Sequence, residues 1–197
     1  KYGIGHLSIV PCRAEPSDAS EQVTQLLFGE TIKVYENKGS WYRIKHSYDK
    51  YECWIDEKQF QFITQSEFED RNYCEQKILA DFADVLVNKN SEERMSILLG
   101  SNLSSLNKDI LTIGKTEWLF EGKIFSIDKK KPKSQLIENA ILFLNAPYQW
   151  GGRSPFGIDC SGFTQLIYKL NGVKLPRDAS QQAKVGSPLS FIEEAEE

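Results

Sequence analysis

Residues 1–63 alternate short apolar runs with turn residues. Runs at 7–10, 21–28, 31–35, 41–45 and 51–55 carry β-branched and aromatic side chains, and Gly29-Glu30, residues 37–40 and Tyr48-Asp49-Lys50 interrupt them. Side chains along a strand alternate faces, so this pattern predicts short strands. Strands at this spacing predict a small barrel, with Trp41, Ile44 and Trp54 in or near its core. Arg13-Ala14-Glu15-Pro16-Ser17 reads as a loop. Thr64-Gln65-Ser66, followed by Glu67, Phe68, Glu69 and Asp70, predicts a short capped connector helix. Residues 77–88 read as extended, 95–99 as an apolar run, and 109–113, 117–120 and 123–127 as three short strands. Ile97-Leu98-Leu99-Gly100 repeats the form of Leu26-Leu27-Phe28-Gly29. Residues 64–131 are therefore expected to hold the connector helix, a second and more degenerate barrel, and a charged linker around Lys129-Lys130-Lys131. Past the linker, at 132–197, the apolar spacing turns helical. Leu136, Ile137, Ala140, Ile141 and Leu144 mark one helix, begun at Ser134 and stopped by Pro147. Phe163, Leu166, Ile167 and Leu170 mark a second, stopped by Asn171-Gly172.

The stretch between these helices, residues 148–162, reads Tyr-Gln-Trp-Gly-Gly-Arg-Ser-Pro-Phe-Gly-Ile-Asp-Cys-Ser-Gly. Asp159 stands where an N-cap is needed, which makes Cys160 the first helical residue. A helix N-terminus carries partial positive charge and unpaired N–H groups, and both favour a thiolate. The nearby glycines let the backbone come close to whatever the sulfur attacks. Cys160 is thus the expected nucleophile.

Composition narrows the chemistry further. The 197 residues carry a formal charge of −4, which disfavours nucleic acid as a partner because phosphate neutralisation needs a basic face. No apolar stretch approaches a membrane span. The four cysteines show neither a C-x-x-C pair nor metal-ligand spacing, and there are only two histidines. No metal or other cofactor is expected, nor a full disulfide framework.

Tyr-x-Trp-Gly-Gly, then Ile-Asp-Cys-Ser-Gly-Phe, then Leu-Pro-Arg-Asp-Ala-Ser-Gln-Gln at 175–182, resemble the NlpC-type murein peptidases. Those are papain-like cysteine enzymes that cut γ-D-glutamyl bonds of bacterial cell-wall peptides. The first barrel's Arg-x-Glu-Pro-Ser, Leu-Leu-Phe-Gly-Glu, Trp-Tyr-Arg-Ile and Tyr-Glu-Cys-Trp-Ile resemble the bacterial Src-homology-3-like domains. The resemblance implies an α+β, multidomain chain: two small barrels ahead of the N-terminal, helical part of a catalytic domain. It implies that Cys160 attacks and that Tyr148 helps form the oxyanion hole, with Trp150 beside it. Asp159, Ser161, Glu15 and Tyr51 would line a pocket for the free amine of a terminal L-Ala. Arg177, Asp178 and Ser180 would meet the D-Glu carboxylate and the neighbouring peptide. The implied substrates are L-Ala-γ-D-Glu-L-Lys or its diaminopimelate analogue. The implied enzyme is a monomer of the cell envelope, periplasmic or secreted, or else a cytoplasmic enzyme of murein peptide recycling.

One departure is an absence. Cysteine catalysis needs a general base, and the family's histidine lies on a strand after the nucleophile. Here the histidines are His6 and His46, both in the first barrel. No convincing strand follows Gln182, so the two helices are expected to lack the sheet their apolar faces need. The expectation is a truncated enzyme whose activity requires residues beyond 197. The alternative is a murein-binding module that does not cut.

Overall fold

The structure is a computed structural model that describes residues 1–191. Residues 192–197, the end of the expected catalytic segment, lie outside the described residues. Seven strands fill the first 63 residues: β1 (Tyr2–Gly5), β2 (Ile9–Arg13), β3 (Gln22–Leu27), β4 (Thr31–Lys38), β5 (Trp41–His46), β6 (Glu52–Asp56) and β7 (Phe60–Ile63). They form one antiparallel sheet in the order β3-β2-β6-β5-β4-β1-β7. It wraps around Val10, Cys12, Leu26, Ile32, Ile44, Cys53, Ile55 and Phe60. Ile44 is fully buried, as expected. Trp54 is not in this core: Cys53 and Ile55 face inward, so the pleat turns Trp54 to the other face, opposite Arg13 and Arg43. Trp41, at the start of β5, is likewise only half-buried.

The middle begins with α1 (Gln65–Tyr73), whose N-cap Thr64 accepts from the Glu67 amide. Six strands follow: β8 (Lys77–Leu79), β9 (Ala83–Asn88), β10 (Arg94–Leu98), β11 (Ile110–Ile113), β12 (Thr116–Leu119) and β13 (Ile124–Ser126). The single extended stretch expected over 77–88 is broken at 80–82. Its first half pairs with β13, while its second half pairs with β10 and β12. The bend lets both Leu79 and Leu86 enter one core with Ile97, Leu111 and Phe120. Ile4 and Phe28 of the first barrel join the same cluster, so the barrel and the middle share a core. The two Leu-x-Gly elements adopt the same local backbone. Gly29 and Gly100 both sit at positive φ, 76° and 85°, where a β-carbon is disfavoured.

The remaining elements are α2 (Ser134–Ile141), the small hairpin β14 (Arg153–Ser154) with β15 (Gly157–Ile158), α3 (Cys160–Leu170) and α4 (Ala179–Gln182). The expectation that α3 lacks a partner for its apolar face is corrected. Leu166, Ile167 and Leu170 are buried against Ile78 and Leu99 of the middle, with Phe143 and Ile158. Each such side chain contributes about 1.5–3 kcal/mol on leaving water, and that anchors the helix that begins at Cys160 to the rest of the molecule. Ile137, Ile141 and Leu144 stay exposed. No helix among the described residues is long and apolar enough to cross a membrane.

Candidate active site

Asp159 has the extended backbone of an N-cap, and its Oδ1 accepts from the Gly162 amide at 2.6 Å. This starts α3 at Cys160 and puts the sulfur at the positive end of the helix. Gly151, at φ 71°, donates its amide to Asp159 Oδ2 at 2.9 Å. A β-carbon on Gly151 would run into the Gln22 carbonyl, and one on Gly152 into that of Gly157. The paired glycines thus let three backbone segments meet beside Cys160.

Arg177 completes this arrangement from below. Nη1 donates to Asp159 Oδ1 at 3.0 Å and Ser161 Oγ at 2.8 Å, Nη2 to Asp159 Oδ2 at 2.6 Å and the Gly152 carbonyl at 3.5 Å, and Nε to Thr24 Oγ1 at 2.9 Å. A guanidinium has five N–H donors, and all five are engaged. Arg177, expected to meet a substrate carboxylate, lines the cavity of Cys160 with its donors engaged by Asp159, Ser161, Gly152 and Thr24. Burial alone would raise the Asp159 pKa. The Arg177 hydrogen bonds and charge, with the Gly162 and Gly151 amides, outweigh that and hold it below the ordinary value.

Cys160 opens onto a cavity of about 240 Å³ lined by Tyr51, Tyr148, Trp150, Asp159, Ser161, Arg177, Asp178 and Ser180, so nearly all the predicted site residues converge. Tyr148 and Trp150 are exposed at its mouth. A backbone bridge between Tyr148 and Ile158 holds the tyrosine beside β15, the strand that leads into Cys160. Tyr51 is pushed up to about 12, first by burial and then by the neighbouring Asp178 carboxylate. Glu15 is the exception: it is exposed on its loop and does not line the cavity. The barrel carboxylate that does is Glu21, which accepts from Trp150 Nε1 at 2.6 Å, while Gln22 donates to the Trp150 carbonyl at 3.1 Å. The two glutamates flank the same turn, and sequence order alone does not say which one faces Trp150.

A second group also escaped the sequence reading. Glu30 accepts from Arg153 Nη1 and Nη2 at 2.9 and 3.0 Å and from Lys169 Nζ at 2.9 Å, all buried. Gln25 takes the Arg153 amide at 2.7 Å. This cluster ties β14 and α3 to the barrel and so fixes one wall of the cavity relative to the other.

Neither histidine lines the Cys160 cavity. His46 is buried in the barrel core against Cys12. The described residues thus bring together the Cys160 thiol, a capping carboxylate and the Tyr148 phenol, without an imidazole at the cavity.

Residues 145–196 match the NlpC/P60 family, and residues 12–60 match the bacterial dipeptidyl-peptidase Sh3 domain. The chain carries an NlpC/P60 segment behind a bacterial Sh3 domain. Over 190 residues it is 30% identical to the γ-D-glutamyl-L-lysine dipeptidyl-peptidase of Bacillus cereus, covering 86% of this chain and 56% of that protein. The Bacillus subtilis protein of the same name is 28% identical over 176 residues, 83% of this chain and 58% of its own. The chain thus spans a little over half the length of these curated relatives. A crystal structure of an NlpC/P60 family protein from Bacillus cereus superposes with a TM-score of 0.83 at 23% identity, covering 96% of this chain and 79% of that one. A Photobacterium damselae NlpC/P60 endopeptidase gives 0.73 at 18% identity, over 92% and 45%. These likenesses establish the NlpC/P60 fold with its Sh3-like domain ahead of it.

Proposed function

We propose that this chain contributes the nucleophile and the peptide-binding wall of a cell-wall peptide hydrolase that cuts the γ-D-glutamyl–L-diamino-acid bond. The Cys160 thiolate attacks the carbonyl, and the Tyr148 hydroxyl and the Cys160 amide receive the developing oxyanion. The amine of the diamino acid leaves, and water then releases L-Ala-γ-D-Glu from the acyl-enzyme. The general base comes from outside the described residues.

One observation carries the specificity. The cavity holds three carboxylates, Glu21, Asp159 and Asp178, against the single guanidinium of Arg177. An excess of negative charge in a small pocket suits a protonated amine, which must be paired once desolvated. Glu21 takes the place of Glu15 in this reading, with Tyr51 closing the pocket. The middle sheets serve as a second, degenerate barrel and spacer between units at 1–63 and 132–197. The relatives' names support the bond chosen, and an envelope location and a monomeric state fit this use.

The test is turnover of L-Ala-γ-D-Glu-L-Lys and its diaminopimelate analogue by the complete gene product. Cys160→Ala should reduce it by roughly 10⁴-fold or more. N-acetylation of the L-Ala should abolish cleavage, and equal rates on free and blocked peptide would refute the amine pocket. The lack of a histidine at the cavity favours one other reading, a module that holds murein peptide without cutting it. Binding of the free-amine peptide with no product at any enzyme concentration would decide for that.

A further inference from the structure

Cys12 on β2, Cys53 on β6 and His46 at the end of β5 lie far apart in the chain, and their side chains meet inside the barrel. Their donor atoms all lie within 4.8 Å of one another. Cys12, His46 and Cys53 are 0%, 1% and 3% exposed. Cys12 Sγ is 3.7 Å from His46 Nε2. A tetrahedral zinc ion, with sulfur at about 2.3 Å and nitrogen at about 2.0 Å, holds two such ligands about 3.5 Å apart.

The other ring nitrogen supplies an independent observation. His46 Nδ1 is buried without a hydrogen-bond partner, and the nearest acceptor is Asp49 Oδ1 at 3.8 Å. A carboxylate behind the far nitrogen is how metal-bound imidazoles are oriented, with Nε2 left to the ion. Asp49 is itself fixed by the Tyr51 amide and by Gln165 of α3.

We propose that the barrel core is a binding site for a thiophilic divalent cation of the zinc class, held by Cys12, Cys53 and His46 Nε2. Two thiolates and a neutral imidazole around a dication form a neutral complex, the charge state that a dry interior tolerates. Binding releases the two thiol protons to solvent. His46 also forms part of the wall of a second cavity of about 410 Å³. The site is structural: it joins three strands and, through Asp49 and Gln165, steadies the helix of the nucleophile.

The test is titration of the reduced, metal-free chain with Co2+. One equivalent should give the thiolate-to-cobalt charge-transfer band and the visible bands of a tetrahedral centre, and Zn2+ should displace them. Cys12→Ser, Cys53→Ser and His46→Gln should each lose or shift these bands, whereas Cys74→Ser and Cys160→Ala should keep them. Should a core variant fail to fold, the unaltered chain still decides. Its melting temperature should rise with stoichiometric Zn2+ and fall back with chelator. Absence of both bands and shift, bands that survive in the Cys12→Ser/Cys53→Ser double variant, or a Cys12–Cys53 disulfide in the native purified protein would overturn the proposal.

Discussion

Asp159 and Arg177 show how two residues read for substrate contact become each other's partner. Asp159 is legible beside the thiol from its cap position alone, whereas only the family resemblance brought Arg177 there. It did not show that all five guanidinium donors are consumed, since Thr24 and the Gly152 carbonyl arrive from elsewhere in the chain. Arg177→Lys should therefore act on stability. Removing one partner of a buried pair leaves an uncompensated charge at about 3–5 kcal/mol, and lysine recovers part of it with one ammonium. Urea unfolding measures the loss. A variant of normal stability and raised KM would instead return Arg177 to the substrate. Tyr148 is the converse case. It is exposed at the cavity mouth and its hydroxyl carries no structural role, so Tyr148→Phe should leave unfolding unchanged. It should lower kcat by about 10²-fold with little effect on KM, as expected for a donor used only in the transition state. An unchanged kcat would remove Tyr148 from the oxyanion hole.

At the scale of elements, α3 was legible in full because its cap, apolar stripe and Asn-Gly stop are all local signals. Five of the first barrel's seven strands, β2 to β6, were legible for the same reason, whereas β1 and β7 were not read. The break at 80–82 was not, because two apolar segments in succession look like one strand until each finds its own partner. The partner of α3 was also missed: its apolar face was read as waiting for strands after it, and it packs on Ile78 and Leu99, which precede it. The turn ahead of α3 gives the sharpest test at this scale. Gly151→Ala forces a β-carbon to positive φ and into the Gln22 carbonyl. The cost should be about 1–3 kcal/mol of stability. It should also push the Trp150 loop off Glu21 and Gln22, seen as a change in tryptophan fluorescence that Gly39→Ala, whose β-carbon meets nothing, does not produce.

At the scale of the molecule, the barrel and the NlpC/P60 segment are joined by charges that no sequence window contains, since Glu30 lies 123 residues from Arg153 and 139 from Lys169. This junction makes stability depend on pH with a definite sign. Burial alone would raise the Glu30 pKa, but Arg153 and Lys169 outweigh it and hold it well below the usual range. The unfolded glutamate titrates near about 4.3. Folding thus gains from Glu30 above that pH, and the gain is lost as pH falls below it, where the unfolded chain binds the proton first. Asp49 and Asp159 are depressed as well and add to the same acid loss. Burial lowers the Lys169 pKa, and the Glu30 carboxylate opposes that. Glu30→Gln should be destabilised by about 3–5 kcal/mol at neutral pH, because two buried cations lose their counter-charge. The difference from the unaltered chain should shrink as pH falls from about 5 to 3, because there the unfolded glutamate takes up a proton that the native carboxylate does not. Urea midpoints across that range measure it. A difference independent of pH would mean that Glu30 acts through packing rather than charge, and that barrel and NlpC/P60 segment are held together through the apolar contacts each makes with the middle.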